Sequence, residues 1–221
     1  RTAWDLATQA GDATLAIQIT DEIAVVFAID APSAKLATLK TTDKFARSLP
    51  QRAALATVAL RLADDAAGGD DYDRAQEFAS IGLDVARKAR DGELVKRIVA
   101  REKQFKEAAG THAKAQVALA TLKDDPANPA ANQAAGEYYC FAKNDWTTGV
   151  PMLALGTDAA LKSLAIRELK LSVALRGQHE SAFPAEKAEL GDAWWDLGEK
   201  HDDDMKGRLR SRAAHWYRQA A

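Results

Sequence analysis

The sequence predicts an all-α protein, an irregular α-solenoid of stacked helical hairpins with one long central helix. About a fifth of the 221 residues are alanine, the best helix former. Alternating β-branched and polar residues are nearly absent, so a sheet is not expected. A stripe with internal offsets of three, four and three recurs, and on a helix these offsets share one face, where small residues allow close packing. Its four copies are Ala13-Ala16-Thr20-Ile23, Tyr72-Ala75-Ala79-Gly82, Trp146-Gly149-Leu153-Gly156 and Arg210-Ala213-Tyr217-Ala220.

Turn and capping residues place the helices of the first half of the chain. Gly11-Asp12 separates a helix over 1–10 from one over 13–29, which Ala31-Pro32 is expected to end. Ser33 is then the expected N-cap of a helix that runs to about residue 48. A further helical pair is predicted over 51–67 and 72–89, on either side of a glycine-rich turn.

Residues 93–123 keep a helical period without proline, which predicts a helix on the order of 45 Å long. Gly110-Thr111 is the point within it where a kink or break is expected. The stretch from Asp124 to Pro129 is the clearest interruption that follows. It predicts two regions, 1–123 and 124–221, although one continuous solenoid is also compatible with the pattern.

The second region is predicted to contain helices over 130–142, 146–156, 158–171, 185–200 and 204–220. The stretch from Arg176 to Pro184 is predicted to be a surface loop. Both ends of the chain look like cuts through a longer polypeptide, so we expect a fragment of a multidomain protein.

Residues in the second region resemble the tetratricopeptide (TPR) repeat, a helical hairpin of partner-binding proteins. One unit is carried by Pro129, Gly136, Tyr139, Gly149, Leu153 and Gly156, with one residue inserted in its turn. A second unit, with a longer turn, is carried by Leu190-Gly191, Trp194, Ala213, Tyr217 and Ala220. The ending His215–Ala220 is also similar to Sel1-type repeats.

A broader resemblance, to an uncharacterised helical region of large planctomycete proteins, covers nearly the whole chain. It is carried by Asp71-Tyr72-Asp73, 126–132, Tyr139-Cys140-Phe141, 156–162, 190–197 and 216–220. This resemblance implies a non-catalytic module, exported to the periplasm or the cell exterior, beside lectin-like or other domains. It implies no catalytic residue.

Charge and composition exclude several classes of function. Thirty Lys and Arg face 32 Asp and Glu, and this balance argues against bulk attraction to nucleic acid or an anionic membrane. No apolar run reaches the roughly eighteen residues of a membrane span. Cys140 is the only cysteine, so there is no internal disulfide, and it is predicted to be a small buried hydrophobe.

Several residues could carry chemistry, and each also has an ordinary structural role. Asp192 and Asp196 beside a Trp-Trp pair could act as the carboxylates of a glycoside hydrolase, but a solvated helix face is the favoured interpretation. His201, followed by three aspartates, lacks the ligand spacing of a metal site, and acids at a helix start are explained by its dipole. Basic residues mixed with aromatics over 206–218 could bind RNA, but the neighbouring acids argue against it. No metal or cofactor is expected.

The sequence therefore predicts a non-enzymatic scaffold or inter-domain spacer that binds another protein or a neighbouring domain. Adjacent tryptophans point about 100° apart on a helix, so Trp194 is assigned to the core and Trp195 to a binding surface. The expected exposed contacts are Trp195, Arg208, Arg212 and Gln219. The alternative is a glycan-binding module that uses exposed aromatic residues near Trp195.

Overall fold

The computed structural model describes residues 2–177, 179, 182–202 and 204–221, which form eleven α-helices, one π-helix and no strand. The predicted all-α class is therefore confirmed. The α-helices are α1 (Ala3–Ala10), α2 (Ala13–Phe27), α3 (Ala31–Phe45), α4 (Leu49–Gly68), α5 (Tyr72–Ala89), α6 (Gly92–Asp124), α7 (Pro129–Glu137), α8 (Trp146–Leu153), α9 (Ala159–Ala174), α10 (Pro184–Gly198) and α11 (Asp204–Ala220). The π-helix, Tyr138–Ala142, follows α7 directly. None of the helices in these described residues is long and apolar enough to cross a membrane.

The chain divides into two compact units, the first ending at Gly110 and the second beginning at Thr111. This point lies within α6, whose 33 residues confirm the predicted long helix. Gly110 and Thr111 are both helical, so α6 is not broken at this point. The alternative expectation, a kink, stays a prediction. The predicted division into residues 1–123 and 124–221 stays a prediction.

Aspartate N-caps set the start of three of the four stripe helices. The side chains of Asp12, Asp71 and Asp145 each accept a hydrogen bond from a backbone N–H in the first turn of α2, α5 and α8. Such a cap satisfies one of the amide groups that a helix start leaves without a partner. In each case the stripe begins at the residue that follows the aspartate. The recurring pattern therefore coincides with a shared helix start, an aspartate N-cap.

The start of α3 differs from the prediction. The helix begins at Ala31, with Asp30 as the N-cap residue and proline in the first turn, and Ser33 lies inside the helix. Proline is well suited to this position because the first helical amides have no partner within the helix. Pro32 therefore opens α3, whereas it was expected to close α2.

The core of the first unit depends on close contact between α4 and α5. Ala75 and Ala79 are fully buried, and a Cβ at Gly82 would lie 3.3 Å from the carbonyl oxygen of Ala56. Ala16 on α2 is also fully buried. The small stripe residues thus face neighbouring helices, as predicted, and their size permits the short interhelical distance.

In the second unit, close backbone contact joins α7 and the π-helix to α8. A Cβ at Gly149 would lie 2.9 Å from the carbonyl oxygen of Gly136 and from the backbone nitrogen of Cys140. Any larger residue at 149 would have to displace that backbone. Ala213 of the last stripe is fully buried, and Cys140 is buried as expected.

Candidate partner-binding surface

Helices α10 and α11 form a hairpin that holds most of the residues singled out in the sequence. The helices meet closely where Tyr217 lies over Gly191, since a Cβ at Gly191 would lie 2.7 Å from a ring carbon of Tyr217. This contact places the tyrosine across the neighbouring helix, although 36% of the residue remains exposed. Tyr217 thus packs between the helices and also contributes to the outer surface.

The two adjacent tryptophans of α10 point in different directions, as the helical geometry predicts. Trp194 is fully buried, whereas Trp195 is 40% exposed. One side chain therefore belongs to the core of the second unit and the other to its surface.

The buried tryptophan takes part in a polar network centred on Glu168 of α9. The indole N–H groups of Trp194 and Trp216 donate hydrogen bonds of 2.9 and 3.0 Å to one carboxylate oxygen of Glu168. Arg212 donates to both oxygens of the same carboxylate. Its guanidinium also lies 4.7 Å from the ring centre of Trp146, at cation–π distance.

This network is structural in character. Glu168 is 2% exposed, and its acceptor capacity is taken up by two indoles and a bidentate arginine. A carboxylate held in this way has no access to a substrate. Its effect is to tie α9, α10 and α11 together around one buried ion pair.

On the outer side of the hairpin, Trp195 is fixed by a second arginine. The guanidinium of Arg210 lies 4.6 Å from the centre of a Trp195 ring, at cation–π distance. Arg210 is held in turn by Glu199, which accepts a 2.7 Å hydrogen bond from its Nε and pairs with Lys206 at 3.3 Å. The hydrogen bond from Arg210 lowers the pKa of Glu199, so this carboxylate stays charged.

One turn before Trp195, Asp192 continues the same surface. Its carboxylate accepts a 2.7 Å hydrogen bond from the hydroxyl of Tyr217. Partial burial, together with this hydrogen bond and the negative charge of Asp192, raises the pKa of Tyr217 to about 12. We call the group formed by Asp192, Trp195, Glu199, Arg210 and Tyr217 the Trp195 surface. Its two aromatic side chains are oriented by charged partners within the chain.

The four contact residues predicted from the sequence do not form one site. Trp195, Arg208 and Gln219 are exposed. Arg212 is a correction, because its side chain is only 12% exposed and is committed to Glu168. Arg208, Arg212 and Gln219 share one stripe of α11, with offsets of four and seven, whereas Trp195 packs against Arg210 on a different stripe.

Sequence reasoning missed the role of Arg210 and Glu199 in positioning Trp195. The two residues are eleven positions apart, on opposite sides of the turn between α10 and α11. Opposite charges at a hairpin turn were the available signal, but the chain contains many such pairs. Only the register between the two helices selects this one.

Arg208 lies instead beside a groove of about 340 Å³ between the π-helix, α8 and α11. The groove is lined in part by Cys140, Phe141, Trp146, Arg208 and Ser211. Burial raises the pKa of the Cys140 thiol to about 12, which keeps it protonated and a poor nucleophile. The groove therefore contains no activated thiol.

For each alternative function (catalysis, metal binding and RNA binding), the structure provides an observation that argues against it. Asp192 and Asp196 are both exposed on α10, and Asp192 is engaged by Tyr217. Within the described ranges no three His, Cys, Asp or Glu residues are grouped to hold a metal, and Asp203, part of that alternative, lies outside those ranges. Arg210 and Arg212 are occupied by acidic partners inside the chain, which reduces the basic surface of α11.

Comparison of the chain with protein-family models, curated proteins and solved structures gives no match. The resemblances to TPR, Sel1-type and planctomycete helical regions stay predictions.

Proposed function

We propose that the chain is a non-catalytic helical module that binds a protein partner or a neighbouring domain through the Trp195 surface. Its helices would stack as an irregular TPR-like solenoid and serve as a scaffold or spacer. In the same proposal, the chain is part of a larger exported protein, as the planctomycete resemblance implies. The observation that carries the binding role is the exposed indole of Trp195, held by Arg210.

The composition and preorganisation of this surface support partner binding. Tryptophan, tyrosine and arginine are the residues most enriched among those that dominate binding energy at protein interfaces. Here Trp195, Arg210 and Tyr217 lie on one hairpin, and Glu199 and Asp192 restrain two of them. Side chains that are already ordered lose less conformational entropy when a partner binds.

The experiment compares the whole chain with Trp195→Ala and with the control Val173→Ala, which changes an exposed apolar residue on α9. Proteins from native extract that bind the wild type and the control, but not Trp195→Ala, are purified and titrated individually. We expect the dissociation constant to rise at least about tenfold in Trp195→Ala, as for a binding hot spot. Equal affinity of all three chains for every purified partner contradicts the proposal.

A glycan is the second candidate, and the same exposed indole favours it. Sugars stack on tryptophan rings, and a carboxylate such as Asp192 can accept hydrogen bonds from hydroxyl groups. A sugar would have to stack on the ring face that Arg210 does not cover. A glycan array with wild type and Trp195→Ala separates the candidates. A binding signal that is lost in the variant supports glycan binding, and the absence of a signal in both chains contradicts it.

A further inference from the structure

The exposed side of α10 in the second unit is acidic along most of its length. Four exposed carboxylates lie on it: Glu186, Glu189, Asp192 and Asp196. At about 100° per residue these positions fall within roughly 120° of arc and cover about 15 Å of the helix axis, so they share one face. The only basic residue of α10, Lys187, is buried. We call these four residues the acidic face of α10.

The negative charge of the acidic face is not compensated among the residues that the structure describes. Glu186, Glu189 and Asp196 form no salt bridge with any of those residues. Asp192 accepts its hydrogen bond from the neutral hydroxyl of Tyr217. Burial, this hydrogen bond and the negative charges of Asp192 and Asp196 together raise the pKa of Tyr217 to about 12. The shift is in the direction that a local excess of negative charge produces.

The basic residues that border the acidic face are engaged or lie beyond its end. Lys206 and Arg210 of α11 both pair with Glu199, the residue that follows α10. Lys200 is exposed past the C-terminal end of α10. The acidic face is therefore a local concentration of negative charge on a chain whose formal net charge is only −2.

Trp195 borders the acidic face, about 60° around the helix from Asp192. Its indole is 40% exposed, and the guanidinium of Arg210 lies over one side of the ring. The Trp195 surface therefore joins an apolar contact area to uncompensated carboxylates. A partner that covers both must bring apolar surface to the indole and positive charge to the carboxylates, because like charges brought together at an interface are costly.

We propose that the partner of the Trp195 surface is a basic protein segment, whose Lys or Arg side chains pair with the acidic face while an apolar side chain packs against Trp195. This inference rests on the proposed function, since it names the partner chemistry of the same surface. Exposed charge pairs add little affinity one at a time, but a complementary field speeds association and rejects acidic partners. Salt should weaken the binding, because at 1 M it screens exposed charges beyond about 3 Å.

A display library of random peptides tests the inference without a known partner. Peptides of about twelve residues are long enough, when extended, to cover the acidic face. They are selected on the whole chain, and those that also bind Trp195→Ala are removed. We expect the remaining peptides to be enriched in Lys and Arg and depleted in Asp and Glu relative to the unselected library.

Synthetic copies of the selected peptides are then titrated against the wild type and two triple variants. The test variant neutralises three carboxylates of the acidic face: Glu186→Gln, Glu189→Gln and Asp196→Asn. The control neutralises three exposed carboxylates outside α10: Glu22→Gln, Asp73→Asn and Glu93→Gln. At about 50 mM salt we expect the dissociation constant to rise at least about tenfold in the test variant and to stay within about twofold in the control. At about 1 M salt the three chains should bind alike.

The outcomes separate this inference from the proposed function. Peptides that depend on Trp195 but show no enrichment in basic residues overturn the inference and leave the proposed function standing. Equal affinity of the wild type and the test variant at low salt does the same. So does wild-type binding that salt leaves unchanged, a measurement that needs no variant. A library that yields no Trp195-dependent peptide overturns both, because no segment then binds this surface. Circular dichroism checks that each chain folds.

Discussion

Glu168 and Arg212 form an ion pair in the interior of the second unit, between α9 and α11. Their side chains are 3 and 12% exposed, and the residues are 44 positions apart in the chain. The indole groups of Trp194 and Trp216 complete the coordination of the carboxylate. Removing one member of a buried ion pair leaves the other charge without compensation, which is far more destabilising than losing a surface pair.

We therefore expect Arg212→Met to lower the free energy of unfolding by about 3–5 kcal/mol. The matched control is Arg208→Met, one helical turn earlier on the same stripe of α11, where the arginine is exposed. That change should stay within about 0.5 kcal/mol, as for ordinary surface substitutions. Urea denaturation followed by circular dichroism measures both, and equal effects of the two variants would show that the pair does not stabilise the fold.

Gly149→Ala is expected to destabilise the chain by about 1–3 kcal/mol, because the added methyl group overpacks the contact between α7 and α8. The new carbon would meet Cys140 Sγ, and backbone atoms of Gly136 and Cys140 would lie 2.9 Å from it. The control is Gly110→Ala in α6, where the structure describes no atom within 4 Å of the added carbon. There alanine should stabilise by about 0.5–1 kcal/mol through its helix propensity. Melting temperatures that move in the same direction would contradict the assigned packing.

The Cys140 thiol is expected to resist modification in the folded chain. Burial raises its pKa from 9.0 to about 12, so at mildly alkaline pH the reactive thiolate is about a thousandfold scarcer than in the unfolded chain. Titration with Ellman's reagent should give no rapid colour until denaturant is added, and then one equivalent. Rapid reaction of the native protein would mean that the groove beside Arg208 opens to the thiol.

The Tyr217 hydroxyl should titrate near pH 12 instead of its ordinary 10.0. Because the folded chain holds this proton more tightly than the unfolded chain, stability should fall as the pH rises from about 10 to about 12. Asp192→Asn removes a negative charge and should lower the pKa of Tyr217, although burial, the larger cause, remains. Tyrosinate absorbance measures the shift, with Tyr217→Phe identifying its contribution. An unchanged titration in Asp192→Asn would show that the two side chains are not paired in solution.

Much of the helical organisation could be predicted because its signals are local. Periodicity without proline identified α6 almost to the residue, and the turn at Gly11-Asp12 marked the start of α2. The prediction at Ser33 failed because a proline after an apolar run can either end one helix or open the next. Here the proline opens α3 with Asp30 at the N-cap position, where the aspartate side chain makes no capping hydrogen bond.

The candidate site was predictable only in part. That one of two adjacent tryptophans is exposed follows from helical geometry, and the exposed one is Trp195. The sequence did not indicate that Arg212 is buried, nor that Arg210 packs against the Trp195 ring. Both residues are arginines among similar neighbours on α11. Their environments depend on which face of α11 meets α9 and α10.

The sequence alone thus determined that this chain is helical, where most helices begin and end, and which small residues lie between helices. These properties depend on residues within one or two turns of each other, where caps, breakers and periodicity act. The tertiary structure decided which charges are paired and that Glu168 is saturated inside the second unit. Such contacts join residues tens of positions apart, and helical periodicity specifies a face without specifying its partner.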